Sequence, residues 1–348
     1  MKVAFYSMMK NELSLSVAFS EMLYEFGDFI YILDHASTDN TVSSIKQNVP
    51  DAKVFHLRSR RYPQSEMSNF FARKIFNETD ADFLFFLDAD EFLPFATKDE
   101  MIEFLSEMQD YDAIAFPWNN LAPSGTSFDD GFYSMGNSQN YYKIALNRRI
   151  TLTPDYNVCQ GNHGVTSRKR EVAICLQRTK PLFHLPVPSY TKFIFKILQG
   201  IDSLRNDKLN NALGNGYHWF QLADKVCSGN LTDLEIRSLI YSYSGSIPEV
   251  MSERFEPFSF PYIKSRMLRE TPVNDILRWL LGSYSANLPE NHAGKQVDIT
   301  VEDDAGRVIL TTKRQYIRDI AMIAKKQIRS KVPKIARDLI KRIGRRSQ

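Results

Sequence analysis

Three carboxylates, Asp88, Asp90 and Glu91, close the apolar run DFLFFLDADEFLP, which spans residues 82–94. In an extended chain, residues two apart point the same way, so Asp88 and Asp90 are expected to aim at one point beyond the strand's end. Two carboxylates about 4 Å apart repel by roughly 4 kcal/mol at an effective dielectric near 20. No Lys or Arg between Lys74 and Lys98 neutralises them locally. A hard divalent cation, Mn2+ or Mg2+, shared with phosphate oxygens would relieve the repulsion. The plainer alternative is that the acids end a strand and cap the next helix.

The elements that would position these acids alternate between strand and helix patterns, the signature of a parallel sheet covered by helices. VAFYS from Val3, FIYIL, AKVFHL and FLFFL read as four strands. Between them lie a helix ELSLSVAFSEMLYEFG stopped by Gly27, a helix running toward Lys46 capped by Ser37 or Asp39, and a helix from about Gln64 to Phe76. FLFFL does not alternate, which predicts burial on both faces and places Asp88 at the carboxyl edge of the sheet, where open α/β sheets bind ligands. A helix over Met101–Met108 and a strand AIAFPW follow, then an Asn-, Ser- and aromatic-rich segment to Tyr142 that reads as substrate-covering loops. YKIAL and GVTSRKREVAICL read as strands, SYTKFIFKILQGIDSL and most of 210–284 as helical, and VDITVEDDAGRVIL as a hairpin turning at Asp304–Gly306.

YSMMKNE, YILDHASTDNT and FLFFLDADEFLP resemble, in this order and spacing, the nucleotide-sugar-binding half of family 2 glycosyltransferases of the GT-A fold. The resemblance is closest to a bacterial branch marked by DxDEF, and continues through WNNL at Trp118, YYK ending at Lys143, QGNH ending at His163 and HLPVPSYTKFIFKILQG, about residues 1–200. It implies a Rossmann-like, mostly parallel sheet flanked by helices. It also implies Asn11 beside the nucleotide, Asp34 on a uracil-like base or ribose, Asp88 on ribose or metal, and Asp90 as main metal ligand. Arg73 would help hold phosphate, with Arg58, Arg60 and Arg61 as competitors. His184 is the natural downstream histidine of the metal site, and His163 its competitor or a donor-site residue; each could equally be an ordinary core histidine. His35 stands where the family has a second acid, which leaves the base-recognition role of that loop open. For a proton acceptor the candidates are Glu91 and Asp155, although Glu91 could instead brace the acidic loop. Trp118 reads either as core or as a platform for a sugar ring.

The chain has 348 residues, 43% hydrophobic, enough for a sizeable core. Cys159, Cys175 and Cys227 lack any CxxC spacing, so neither a disulfide framework nor a zinc knuckle is expected, and a reducing compartment fits. The start lacks a secretory pattern, and no window approaches the ~18 apolar residues of a membrane span. The net charge of +3 hides an asymmetry: residues 313–348 carry 13 basic against 2 acidic residues. Ile317, Ala321, Ala324, Ile328, Val332, Ile335, Leu339 and Ile343 give this tail one apolar helical face, which Pro333 kinks or divides. Such a helix can lie on an anionic membrane, at about 1 kcal/mol per basic residue, or pack on the acidic body; nucleic acid ranks lower.

Together these features predict a GT-A catalytic domain over 1–205, a mostly helical region with a short hairpin over 206–312, and a basic amphipathic tail over 313–348. The expected activity is metal-dependent sugar transfer from a nucleotide-sugar donor, UDP-sugar favoured, to a glycan or lipid-linked acceptor in bacterial surface-polysaccharide synthesis. The expected site is the cytoplasm or the inner face of the membrane. A degenerate GT-A domain acting as a scaffold is the non-enzymatic alternative. A DxD phosphatase is disfavoured because Phe92 stands where Thr or Val is needed.

Overall fold

A computed structural model describes residues 1–59, 62–123, 132–188, 192–193, 196–197, 233–244, 257–258 and 299–312. Its centre is a parallel sheet in the order β3 (Lys53–Arg58), β2 (Phe29–Asp34), β1 (Val3–Met9) and β4 (Phe83–Phe86). Both faces of β1 and β4 are covered, which explains their unbroken hydrophobicity. Val3, Phe5, Phe83 and Phe85 pack with Phe19, Met22, Leu23 and Phe26 of α1 (Leu13–Phe26) and with Met101 and Leu105 of α4 (Lys98–Ser106). On the opposite face, Ala4, Tyr6, Leu84 and Phe86 meet Met67, Phe71 and Ile75 of α3 (Gln64–Glu78). Replacing one such buried ring by alanine typically costs ~3–5 kcal/mol. Ile45 of α2 (Thr41–Asn48) joins the α1 side.

Beyond β4 the sheet turns antiparallel. β7 (Phe132–Asn147) runs against β4 and against β6 (Ala113–Pro123). β11 (Leu182–His184) lies parallel to β6, and β5 (Glu91–Phe92) pairs antiparallel with β11. The described parts of the Asn- and Ser-rich segment after Trp118, 119–123 and 132–142, are therefore strand where covering loops were expected. Backbone pairing tolerates polar side chains, Ser134 Oγ donates to Asn119 Oδ1 at 2.8 Å, and buried Leu121, Ala122 and Phe132 anchor the distal end. GVTSRKREVAICL is likewise divided into β9 (Val165–Thr166), paired with β8 (Asn157–Val158), and β10 (Ile174–Leu176), paired with β6. The intervening turn folds back because Arg170 forks onto buried Asp112 at 2.6 and 2.8 Å.

Gly27 ends α1 in extended backbone, φ −90°. A Cβ there would lie 2.8 Å from Leu23 O and 3.0 Å from Phe5, so close packing selects glycine. Asp39 Oδ1 accepts from Thr41 N at 2.9 Å, while Ser37 Oγ accepts from Asn11 N at 2.9 Å. At the other sheet edge β13 (Ile299–Asp303) and β14 (Val308–Thr312) form the expected hairpin, and β13 covers β3 antiparallel. In its turn Gly306 has φ 73°. Of the region expected to be helical, the described parts are a helix, α5 (Asp233–Tyr243), and a two-residue strand, β12 (Pro257–Phe258), on β7; Lys192, Phe193, Lys196 and Ile197 are helical. Arg60, Arg61 and the tail 313–348 lie outside the described residues. Among the described residues no helix is long and apolar enough to cross a membrane.

Candidate active site

All four parallel strands present their carboxyl ends at one edge, so Asn11, Asp34 and Asp88 terminate neighbouring strands there. Beyond β4 the chain turns. Glu91 N donates to Asp88 O and Asp88 N to Glu91 Oε2, both at 3.0 Å. This turn corrects the expectation of an extended Asp88–Asp90 pair aimed at one point, because alternation holds only in a strand. Asp88 instead accepts from Lys143 Nζ at 2.6 Å and Gln64 Nε2 at 3.3 Å, and Asp90 Oδ2 accepts from Lys196 Nζ at 2.5 Å. The groups that converge are Asp90, Glu91 and His184, with one ligand atom of each within 4.8 Å of the others.

Strand register explains the convergence. β11 pairs with β5 so that His184 lies opposite Glu91, and with β6 so that His184 lies opposite Asn120. His184 Nδ1 donates to Asn120 Oδ1 at 2.8 Å, leaving the Nε2 lone pair facing Asp90 Oδ2 at 3.8 Å. Burial pushes the imidazole down to about 3, so it is neutral. Burial opposes ionisation of Asp90 as well, but the Lys196 ammonium outweighs it and holds this carboxyl below the ordinary range. Glu91 is fully buried, and among the described residues its Oε1 has no hydrogen-bond partner, with Lys143 Nζ 3.4 Å away. Burial raises its carboxyl well above the usual range, against the pull of Lys143. Two carboxylates and a neutral imidazole, with two lone-pair atoms facing each other, form a donor set that fits Mn2+ or Mg2+. The Asn120 contact behind His184 is the outer hydrogen bond that fixes a ligating tautomer.

Asn11, in a left-handed conformation at φ 56°, closes the gap between the first two strands: its Oδ1 accepts from Thr38 N at 2.7 Å, and its buried Nδ2 has no partner among the described residues. Both Asp34 oxygens face Ser37 N at 3.2 and 3.3 Å, and His56 Nδ1 is 3.6 Å from Oδ2. His163 donates through Nδ1 to Tyr142 O at 2.6 Å and meets the Trp118 ring edge-on at 5.3 Å. Trp118 is half-buried, stacks on His184 at 4.1 Å and on half-exposed Tyr141 at 5.5 Å, and leaves its Nε1 without a partner among the described residues. It thus forms a wall of the acidic cluster.

Two expected residues are engaged elsewhere. Arg73 donates to Asn69 O at 2.9 Å and Tyr156 O at 2.8 Å and stacks over the Tyr156 ring at 4.8 Å, so its guanidinium braces α3 against the 156–158 segment. Asp155 accepts from Ser167 Oγ at 3.0 Å and Arg168 N at 2.9 Å, holding the turn after β9. Glu91, expected as a proton acceptor, has 0% exposure and braces the acidic turn through Asp88 N.

Three site residues escaped sequence reasoning: Gln64, Lys143 and Lys196. Gln64 sits at the start of α3, donating to Asp88 while its Oε1 accepts from Gly161 N at 3.2 Å. Lys143 follows from register, since β7 places it two residues before Ala145, which faces Phe85. The Lys192/Lys196 spacing was the one local signal, because residues four apart share a helix face. Lys192 Nζ indeed reaches the first-strand loop, pairing with Glu12 at 2.8 Å and donating to Asn11 O at 2.7 Å.

The chain matches no protein-family model and no curated protein. Among solved structures it is similar to TarS 1-349 of S. aureus, at 13% identity and TM-score 0.35, covering 61% of this chain and 68% of that one. It is similar also to the mannosyltransferase PcManGT of Pyrobaculum calidifontis in complex with GDP-Man and Mn2+, at 13% identity and TM-score 0.37, covering 69% of each chain. A third similar structure is glucosyl-3-phosphoglycerate synthase of Mycobacterium tuberculosis in complex with Mg2+ and UDP, at 12% identity and TM-score 0.28, covering 44% of this chain and 58% of that one.

Proposed function

We propose that this protein is a glycosyltransferase that moves a sugar from a nucleoside-diphosphate donor to an acceptor hydroxyl, with Asp90, Glu91 and His184 holding Mn2+ or Mg2+. The carrying observation is the cation-ready group of those three side chains, within 4.8 Å of one another, at the sheet edge where Asn11 and Asp34 end the adjacent strands. Motif order along the chain supports the same reading, since the first-strand loop, the DHASTDNT loop and DADEF converge on that edge. A bound divalent ion supplies Lewis-acid stabilisation of the departing diphosphate, worth several kcal/mol.

The protein's own groups divide the remaining work. Asp34 offers a carboxylate to ribose or base, and Lys143 Nζ, between Asp88 and Glu91, supplies fixed positive charge beside developing phosphate charge. Trp118, Tyr141 and His163 give an aromatic wall on which a sugar ring can rest its C–H face. In the transfer, the acceptor oxygen forms a bond to the anomeric carbon as the bond to the diphosphate oxygen breaks, and the hydroxyl proton leaves to a base. We further propose family 2 membership, inversion at the anomeric carbon, UDP as the nucleotide, a role in bacterial surface glycan synthesis, and attachment of residues 313–348 to an anionic membrane.

Thermal unfolding with UDP, GDP and dTDP, each with and without Mn2+, tests the reading. Stabilisation by one nucleoside diphosphate only when Mn2+ is present, and its loss in Asp90→Asn, is the expected result. No stabilisation by any of the three would overturn it in favour of a non-catalytic scaffold.

A further inference from the structure

Asp90 Oδ2 is claimed from two sides. Lys196 Nζ donates to it at 2.5 Å, and the lone pair of His184 Nε2 faces it at 3.8 Å. A divalent ion held by Asp90 and His184 would engage the same oxygen that the ammonium holds. Two cations on one carboxylate oxygen repel across a few ångströms of partly buried space. Lys196 has somewhere to go. Its side chain is 22% exposed, its stem is flexible, and among the described residues its other hydrogen bond is to a carbonyl, Pro186 O at 3.0 Å. Lys192, four residues earlier, is instead buried and held by Glu12 and Asn11, an anchor that does not depend on where the Lys196 head sits.

We propose that Lys196 is the exchangeable counter-ion of Asp90: it yields the carboxylate to the divalent cation and then binds the phosphate oxygens of the donor. The second half rests on the transferase reading, and the first does not. Free Lys196 would add a positive charge to the acidic cluster that Lys143 also faces, and a lysine ammonium is a suitable point-charge partner for phosphate.

Mn2+ binding to the full chain without nucleotide, followed by the electron paramagnetic resonance of free Mn2+, tests the exchange. Lys196→Met should bind Mn2+ at least tenfold more tightly than wild type, Lys196→Arg about as weakly as wild type, and Lys196→Met combined with Asp90→Asn should lose the gain. Equal or weaker Mn2+ binding by Lys196→Met would overturn the proposal. Competitive labelling of the wild-type protein with acetic anhydride, read by mass spectrometry, needs no variant. Mn2+ should accelerate acetylation of Lys196 several-fold, and added UDP should suppress it again; unchanged labelling with Mn2+ would overturn the exchange. Faster labelling without any effect of UDP, GDP or dTDP would uphold the exchange and overturn the phosphate half. Nucleotide binding with unaltered Mn2+ affinity in Lys196→Met would leave the transferase reading standing and overturn the exchange.

Discussion

Lys143 is the cation whose removal the fold should feel most. Its side chain is 1% exposed, with Asp88 Oδ2 2.6 Å and Glu91 Oε1 3.4 Å away, and Glu91 is itself fully buried. At 3.4 Å and an effective dielectric near 20, the attraction to an ionised Glu91 is about 5 kcal/mol, much of it offset by desolvation of both groups, since burial raises the Glu91 carboxyl well above its ordinary range. Lys143→Met removes the attraction and leaves the carboxylates behind, a change that typically costs ~3–5 kcal/mol in a buried pair. Asp88 is one-third exposed and keeps Gln64, which lowers the expected loss to roughly 3 kcal/mol. Adding Glu91→Gln to Lys143→Met should return about 2 kcal/mol, the coupling expected of contacting charges. Urea unfolding of the wild type, both single variants and the double variant measures this cycle.

The pH dependence of the same cycle has a definite sign. Burial already raises the Glu91 carboxyl well above its ordinary range, and Lys143 is what opposes the rise. A carboxyl raised in the folded state favours stability at low pH and loses it as pH climbs above the unfolded value. The deficit of Lys143→Met should therefore be smaller near pH 5 than near pH 8. A single variant within about 0.5 kcal/mol of wild type, or a double variant no more stable than Lys143→Met, would refute the reasoning that this ammonium balances buried charge.

Gly161→Ala should destabilise by roughly 1–2 kcal/mol from its left-handed backbone alone. Its Cβ would also fall 2.4 Å from the His163 ring, which must leave Tyr142 O, so weaker binding of a sugar nucleotide should accompany the loss in an unfolding and titration series. Arg73→Ala should lower stability by about 2 kcal/mol through two lost carbonyl contacts and a lost ring stack, while donor affinity by calorimetry stays unchanged. For Asp112, the Arg170 fork holds the carboxyl below its ordinary range. The stabilisation is present above the unfolded value near 3.9 and is lost as pH falls through the lower folded one, so Asp112→Asn should flatten the acid limb of a pH–stability curve.

The parallel half of the sheet was legible because its signals are local. Apolar residues at helical spacing in α1 and the non-alternating run of β4 each announce their own burial, and Asp34, which ends β2, and Asp88, just past β4, follow from the strand ends. In the antiparallel half the apolar stretches AIAFPW and YKIAL were legible as strands, but nothing in the Asn- and Ser-rich sequence of 119–123 and 132–137 states that its backbone pairs. The acidic site was half legible. Parity predicted that Asp88 and Asp90 would act together, and parity ended at the turn that Glu91 braces. Pairing of His184 with Glu91 spans 93 residues of sequence, and Lys143 reaches Asp88 across 55; register between distant strands leaves no local pattern to read.

Those long-range partners also decide what the site can hold. Glu12, Asp88, Asp90 and Glu91 are matched by Lys143, Lys192 and Lys196, which is why four acids can be gathered at one sheet edge without an ion to hold them together. A divalent cation entering alone adds charge to a cluster already near balance, whereas a cation entering with a diphosphate adds almost none. The arrangement therefore favours joint binding of ion and diphosphate over either alone. Binding of Mn2+ should then be strengthened by UDP and binding of UDP by Mn2+ to the same factor, because coupling between two ligands is reciprocal. Titration of each ligand at fixed concentrations of the other measures both factors, and independent binding of the two would show that the lysines do not act as the site's balancing charge.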